Sequence, residues 1–382
     1  MTPVQPLHPL VEQARRFAQE VLRPRAAEFD RSCAVPHEII EAMAAQGFLG
    51  CVLPPQFGGA GIDMRSYGEL TVEIGKGCSS TRALLTVHTS LVAETLLRLG
   101  SAEQKQRWLP RLARGERIAC FALSEPLIGS DAASVRTRYS ACDGGFMLSG
   151  TKKWITYAAV ADLFLVIANG ESGPAAFLVE RGTAGLRTER ITGLLASRGA
   201  HLAQITLEAV PVEANALLGP LGAGFSFVTN QALFHGRYSI AWAGVATAEA
   251  ALEEMASYAR SREQFGRKLR HHQLIKEMIA DGVASVHAGR ALCERVAALR
   301  EAGDIEAVNE ANIAKYVTSQ LATRTAGDAV QLLGANGISE EYAAERLYRE
   351  AKVLEIIEGS TQIQQLLIAE YGVRRYRLPT RR

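Results

Sequence analysis

The sequence predicts a mainly α-helical protein with a central β domain, on three observations. Apolar residues recur at helical spacing at both ends of the chain; short apolar runs separated by turn signals occupy the middle; a segment rich in glycine, Gly219 to Gly224, stands where the pattern reverts. We read 1–117 as an N-terminal helical domain, 118–220 as a middle β domain and 221–382 as a C-terminal helical bundle.

In the first domain the helical signals are Phe17 to Leu22, His37 to Met43, and Leu84 to Leu99, the last closed by Gly100 with Ser101 as the N-cap of a further helix. Gly58-Gly59-Ala60-Gly61 lies between helical segments and reads as a turn. In the second, Phe146-Met147-Leu148, Leu163 to Ala168, Ala175 to Val179 and Ile205-Thr206-Leu207 read as strands, with Asp143-Gly144-Gly145 and Asn169-Gly170 as turns. In the third, helices are predicted over Ala241 to Arg262, Leu274 to Arg300, Glu310 to Leu333 and Glu345 to Ile357.

With 382 residues, 48% hydrophobic and 21% charged, the chain has enough apolar material for a large core. Lys plus Arg number 42 against 40 Asp plus Glu, so no net field favours nucleic acid or a membrane surface. The longest charge-free stretch, Ala214 to Gly236, holds Gly219, Pro220, Asn230 and Gln231 and is no spanning helix. Met1 to Leu10 lacks a basic segment followed by an apolar one, so no secretion signal is expected there. Cys33, Cys51, Cys78, Cys120, Cys142 and Cys293 have no paired spacing, which predicts reduced thiols in a cytoplasmic protein and no metal site. There is no Walker loop, no HExxH pair and no GxGxxG between strand and helix, so nicotinamide binding has no support.

Glu358 is the candidate catalytic residue. The predicted helix from Glu345 places Leu347, Ala351, Leu354 and Glu358 on one face, and Gly359 breaks it. A carboxylate at the negative end of a helix is opposed by its dipole, by about 0.3 to 1 kcal/mol. Ser360 can cap a following helix through Ile363, Leu366, Leu367 and Tyr371, which sets Glu358 at a junction between helices. Desolvated there, it is expected to have a raised pKa, as suits a general base; at a frayed end it would be an ordinary surface charge.

Two polar clusters accompany the β region. Ser124-Glu125-Pro126-Leu127-Ile128-Gly129-Ser130-Asp131 offers hydroxyls and main-chain N–H groups to a phosphate or a pantetheine arm, or is an ordinary turn. Thr151-Lys152-Lys153-Trp154-Ile155-Thr156 alternates as an amphipathic strand, with Trp154 and Thr156 on one face, or carries a core tryptophan.

In order, these pieces resemble the acyl-CoA dehydrogenase family over nearly the whole chain. The segments that carry the likeness are Cys120 to Asp131, Trp154-Ile155-Thr156, Arg262-Glu263-Gln264-Phe265-Gly266, Asp328 to Gly334, and Glu358-Gly359-Ser360-Thr361-Gln362-Ile363-Gln364. The resemblance implies an N-terminal helical domain, a β-barrel-like middle domain and a C-terminal four-helix bundle, with FAD bound by a homotetramer or homodimer.

It further implies roles. Phe121, Leu123, Ser124, Trp154 and Thr156 would surround the flavin ring, with Ser130 near the pyrophosphate or pantetheine. Ser360 and Gln362 would meet the same flavin, and Arg262, Gln264, Phe265, Gln273, Gln331, Gly334 and Ala335 would receive the adenine half of an FAD held by the other subunit. Glu358 would take the α-proton of an acyl thioester as the β-hydride passes to flavin N5. Its main-chain N–H and a ribityl hydroxyl would hold the thioester oxygen. One branch of the family places its base on an earlier helix; the matching residue is Gly236, which can do no chemistry. Glu355, off the apolar stripe, reads as a surface charge, and Glu125 and Asp131 as residues that shape their loop.

Departures from the family pattern bear on substrate. Leu127 and Ile128 replace Gly-Ala, Ala335 replaces Gly, Ile357 replaces the Tyr before the base, and Phe234 stands where some fatty acyl-CoA members have Asp. Gly75 to Ala83, Gly236 to Trp242 and Leu354 to Ser360 look more like a subgroup from antibiotic pathways. That subgroup oxidises short polar acyl groups on acyl carrier proteins for hydroxymalonyl, methoxymalonyl or aminomalonyl extender units of polyketides and related peptides. Arg237 would then meet a phosphopantetheine phosphate or polar acyl group, or form a salt bridge within the bundle; Gly359 would line the substrate. Arg374, Arg375, Arg377, Arg381 and Arg382 could attract an acidic carrier protein or form a solvated tail. The alternatives are a short- or branched-chain acyl-CoA dehydrogenase feeding an electron-transfer flavoprotein, a flavin oxidase of the same fold, and a non-catalytic flavin-binding scaffold.

Overall fold

The computed structural model describes residues 6–377, which form two compact units: one runs to residue 236 apart from 71–76, and the other comprises 71–76 and the remainder. Residues 1–5, and Arg381 and Arg382 of the basic tail, lie outside the described residues.

In the first unit, α1 (Leu10–Phe17) runs on into α2 (Arg23–Arg31) through a wider π-type turn in which Arg23 N donates to Ala18 O, and Pro24 follows directly on that turn. After α3 (His37–Ala45) and α4 (Met64–Gly77), α5 (Ser79–Leu84) and α6 (Glu94–Leu99) are linked by another π-type stretch, Leu85–Ala93, in which every residue is buried. α7 (Ala102–Ala113) begins at the predicted cap: Ser101 Oγ accepts from Gln104 N and Gln104 Oε1 accepts from Ser101 N. Buried His88 bridges the helical and β parts of this unit, accepting at Nδ1 from Ala119 N at 3.1 Å; burial pushes it down to about 4, so it is neutral near pH 7.

The β part has eight strands: β1 (Ala119–Ala122), β2 (Arg138–Cys142), β3 (Gly145–Ile155), β4 (Leu163–Ala168), β5 (Ala175–Glu180), β6 (Leu186–Arg190), β7 (Ala203–Glu213) and β8 (Leu217–Leu218). They form two four-stranded sheets, β1-β4-β5-β8 and β2-β3-β7-β6, antiparallel except for β1 against β4. The barrel-like expectation thus becomes two sheets around one core. Leu148, Phe164, Phe177, Ile205 and Leu207 share that core, and the rings of Tyr139, Phe146 and Phe177 join the sheets at 5.2 to 5.7 Å. β6 reads Leu-Arg-Thr-Glu-Arg and β8 is two residues long, so neither carries the alternation by which the others are legible.

The second unit takes most of α8 (Asn230–Ser261), a hairpin of β9 (Glu263–Gln264) and β10 (Arg267–Lys268), α9 (Gln273–Glu301), α10 (Ala307–Leu333), α11 (Ala343–Leu354) and α12 (Thr361–Arg375). α8 starts eleven residues before the predicted Ala241, because the charge-free run that punctuates the sequence includes its first turns. The five helices correspond to the four predicted over Ala241 to Ile357 and to the one that Ser360 was expected to cap. Small residues set their spacing: Ala243, Ala251, Ala322, Ala326 and Ala329 share the core with Met255, Leu332 and Leu347. A Cβ on Gly244 would lie 2.6 Å from Thr318 O, so α8 and α10 can approach only through glycine.

Among the described residues no helix is long and apolar enough to cross a membrane, and no group of His, Cys, Asp and Glu could hold a metal ion. All six cysteines are free thiols.

Candidate active site

α11 carries Leu347, Ala351 and Leu354 into the core as the spacing predicts, but it ends at Leu354 rather than Ile357. Bonds from Glu355 N to Lys352 O and from Ile356 N to Val353 O tighten the last turn. Glu358 then lies in the connector and itself takes the left-handed conformation, φ 56°, followed by Gly359 at φ 95°. The left-handed break thus begins at the glutamate, one residue before the predicted glycine. A non-glycine residue there costs about 1 to 2 kcal/mol, and such strain persists only where the surroundings over-determine it. Ser360 caps α12 as predicted, Oγ accepting from Ile363 N at 3.4 Å.

The surroundings are donors from three helices. Arg237 of α8 donates from Nε to Glu358 O at 3.0 Å and from NH1 to Asn312 Oδ1 at 3.0 Å. Lys315 of α10, fully buried, donates from Nζ to Gly359 O at 2.7 Å. Gln364 of α12, also fully buried, donates from Nε2 to Glu358 O at 3.2 Å and Gly359 O at 3.4 Å. A Cβ on Gly359 would meet Gln364 Nε2 at 2.8 Å, so the turn has no room for a side chain. Burial lowers Arg237 from its ordinary value against the pull of Glu358, and brings Lys315 down to about 8, again opposed by Glu358. Arg237 is engaged with the connector's main chain and Asn312 and also feels the charge of Glu358.

Glu355 is half-buried, not a plain surface charge: Lys352 Nζ stands 2.7 Å from Oε2 and its carbonyl accepts from Thr361 N at 2.8 Å. Burial would raise it, but hydrogen bonds from Lys352 and Thr323 bring it below the usual carboxylate range.

In the first unit, Phe121 and Leu123 are buried at the end of β1, and the loop that follows is pinned from below. Glu125 is 5% exposed and accepts from Arg136 N, Thr137 N, Thr137 Oγ1 and Lys152 Nζ at 2.7 to 2.9 Å. Lys152, 0% exposed, also donates to Leu123 O at 2.9 Å. Burial lowers Lys152 to about 8, and Glu125, which burial alone would raise, is brought below its ordinary value by Lys152 and the N–H donors. The pair is ionised at neutral pH. Asp131 is exposed and shapes the loop only through its carbonyl, which accepts from Ser134 N at 3.0 Å; Ser130 is exposed and Ser124 half-buried.

Lys153 N donates to Ser124 O at 2.9 Å, which ties this loop to β3. β3 does not run on as the regular strand predicted: its register against β7 shifts between Lys152 and Ile155, and Trp154 is left-handed at φ 66°. The bulge turns the indole outward, 49% exposed, with Lys153 Nζ 4.8 Å from the ring centroid and half-buried Thr156 just past the strand. An exposed aromatic plane beside a hydroxyl and a hydroxyl-bearing loop fits a planar, hydrogen-bonding heterocycle such as a flavin.

The residues assigned to the adenine half lie on the surface of the second unit. Gln264 and Phe265 are in the β9–β10 hairpin with Arg262 just before it; Phe265 is 93% exposed at φ 52°. Gln273 opens α9; Gln331, Gly334 and Ala335 are exposed at the end of α10, and Gln362 is exposed in the first turn of α12. Lys315, Asn312 and Gln364 are absent from the sequence-derived candidates. The signal for Lys315 was a charge on the stripe Ala311, Ala314, Lys315, Thr318 and Ala322 of α10.

Comparison with known proteins agrees with this geometry along the whole chain. The models for the N-terminal, middle and C-terminal domains of acyl-CoA dehydrogenase match residues 7–116, 120–210 and 222–372. The mitochondrial short-chain specific acyl-CoA dehydrogenase of Homo sapiens is 36% identical over 373 residues, 96% of this chain and 90% of that protein. Two solved structures superpose closely. FkbI, for biosynthesis of the methoxymalonyl extender unit of the Fk520 polyketide immunosuppressant, has a TM-score of 0.89 and 33% identity, over 96% of this chain and 100% of that one. The prolyl acyl carrier protein oxidase AnaB has a TM-score of 0.90 and 28% identity, over 95% and 97%. With three domain models matched in order and an aligned relative above 30% identity, the chain belongs to the acyl-CoA dehydrogenase family of oxidoreductases, whose cofactor is FAD.

Proposed function

We propose that this protein is an acyl-thioester dehydrogenase in which Glu358 takes the α-proton, acting on a short polar acyl group carried by an acyl carrier protein. The observation that carries the base assignment is the strained, left-handed Glu358, held through its own and the next carbonyl by Arg237, Lys315 and Gln364. A base must be fixed relative to the C–H bond it attacks, and bracing both carbonyls holds the backbone from which the glutamate side chain departs. Arg237 and Lys315 favour the ionised form that accepts the proton. The main-chain N–H of Glu358 is assigned to the thioester oxygen, where charge develops as the proton leaves. Bound FAD supplies the hydride acceptor; Trp154, Thr156, Ser124, Phe121 and Leu123 would hold its ring, with Ser130 toward the pyrophosphate or pantetheine. Ser360, Gln362, Arg262, Gln264, Phe265, Gln273, Gln331, Gly334 and Ala335 complete the assignment. A nearly fully exposed Phe265 on a hairpin supports a homodimer or homotetramer. Cytoplasmic placement rests on the scattered free thiols.

The carrier-protein reading rests on Leu127, Ile128, Ile357 and Phe234 and on the likeness to FkbI and AnaB. The higher identity to the human short-chain enzyme favours a second reading, oxidation of free short acyl-CoA with transfer to an electron-transfer flavoprotein. Anaerobic flavin bleaching separates them. Reduction by carrier-bound 2-hydroxyacyl or 2-aminoacyl thioesters that keep a β C–H bond, and by these alone, supports the first; reduction by butyryl-CoA replaces it with the second. Glu358→Gln should abolish bleaching by either, and full activity in that variant would remove Glu358 as the base.

A further inference from the structure

We propose that Lys315 is a positioning residue for Glu358, acting through the carbonyl of Gly359 to hold the left-handed turn that aims the carboxylate; this rests on the reading of Glu358 as base. Lys315 sits on the buried stripe of α10 among Ala311, Ala314 and Thr318, where an apolar side chain would pack at lower cost. Its Nζ reaches across to another helical connection, 2.7 Å from Gly359 O. A lysine retained at that depth is poorly explained by stability, because Glu358 and Glu355 offset the burial of its ammonium only in part and leave it below its ordinary pKa.

The geometry gives it a task. Arg237 and Gln364 hold Glu358 O and with it the peptide that follows the left-handed glutamate; Gly359 O belongs to the peptide after that, so a bond to it holds Gly359, at φ 95°, as the second residue of the turn. Lys315 makes the shortest of the bonds to that next peptide, 2.7 Å against 3.4 Å for Gln364. Gly359 can accept this arrangement only without a Cβ. The ammonium faces Glu355 and Glu358 from the connector and Arg237 from α8, and burial brings it to about 8. Its protonation is therefore at issue within the working range of an enzyme.

The test uses the flavin-loaded protein and the variants Lys315→Met, Lys315→Gln and Glu358→Gln. Hydrogen exchange is read for the segment 355–361 against α10. Thermal unfolding and flavin content are recorded, and α-deuterium wash-out is measured with deuterated butyryl-CoA and with a deuterated carrier-bound 2-hydroxyacyl thioester that keeps a β C–H bond. For Lys315→Met we expect unchanged flavin content, melting at or above the wild-type temperature, and faster exchange confined to 355–361. Wash-out should slow by about tenfold to a hundredfold, as for a misplaced catalytic group, with KM little changed. Its pH profile should lack an alkaline limb near pH 8 that the wild type shows. Lys315→Gln, which keeps a donor without the charge, should be intermediate, and reports the same quantities if the methionine variant does not accumulate. Wild-type exchange and wash-out in both variants would overturn the proposal. Activity surviving in Glu358→Gln would overturn the base assignment instead, and leaves the exchange result to judge whether Lys315 holds the turn.

Discussion

Lys152→Met removes one partner of a buried ion pair and so tests what holds the loop beneath Trp154. In the folded protein the Glu125 carboxylate keeps three donors, Arg136 N, Thr137 N and Thr137 Oγ1, but loses the ammonium that balances its charge at 2.8 Å. The stranded group can stay ionised at the cost of burial or take up a proton. Protonation costs about 1.4 kcal/mol for each pH unit above its ordinary 4.5, or roughly 3.4 kcal/mol at pH 7. That matches the range of about 3 to 5 kcal/mol for breaking a buried pair. The sign with pH follows. In the wild type the folded-state pKa of Glu125 lies below 4.5, so its contribution is present above that value and fades only below it. In the variant burial is opposed only by those three donors and no longer by the ammonium, so the folded-state pKa moves up and the folded form is relieved as the pH falls. Between pH 7 and 5.5 the loss should shrink by about 2 kcal/mol. Guanidinium unfolding followed by tryptophan fluorescence at the two pH values measures it, with Glu125→Gln/Lys152→Met expected to recover most of the loss. A loss below about 1 kcal/mol at pH 7, or one independent of pH, would refute the reasoning.

Other outcomes follow from the same geometry. Glu358→Gln should retain flavin and lower the rate of α-proton removal by about 10² to 10⁴, the range of a general base, in stopped-flow bleaching. Lys315→Met should be at least as stable as the wild type at pH 7. The folded-state pKa near 8 lies below 10.5, so the wild type pays its penalty in full below pH 8 and regains up to about 3 kcal/mol relative to the variant as the pH rises toward 10.5. Trp154→Ala, at a half-exposed position, should cost little stability but reduce flavin occupancy, read as the ratio of flavin to protein absorbance. Gly359→Ala should be worse than an ordinary surface change, because φ is 95° and Gln364 Nε2 is 2.8 Å from the added carbon; urea unfolding and bleaching should both be impaired.

The sequence by itself determined the α, β, α order, the capping of α7 by Ser101 and of α12 by Ser360, the inward stripe of α11, and the break in the chain beside Glu358. Each is a local matter: helical period, side-chain reach to the next turn, and the order of motifs along the chain. It overran α11 by three residues and began α8 late, since a last turn tightened by i to i−3 bonds and a charge-free first turn look alike in composition to their neighbours. Edge strand β6 and short β8 were invisible because pairing, not pattern, makes them strands. Only the tertiary structure decided that Trp154 is turned outward by a bulge, that Glu125 and Lys152 are one buried pair, and that Arg237, Lys315 and Gln364, over a hundred residues apart at the extremes, converge on two consecutive carbonyls. Hydrogen-bond partners and charge burial are properties of what packs against a residue, and no window along the chain contains them.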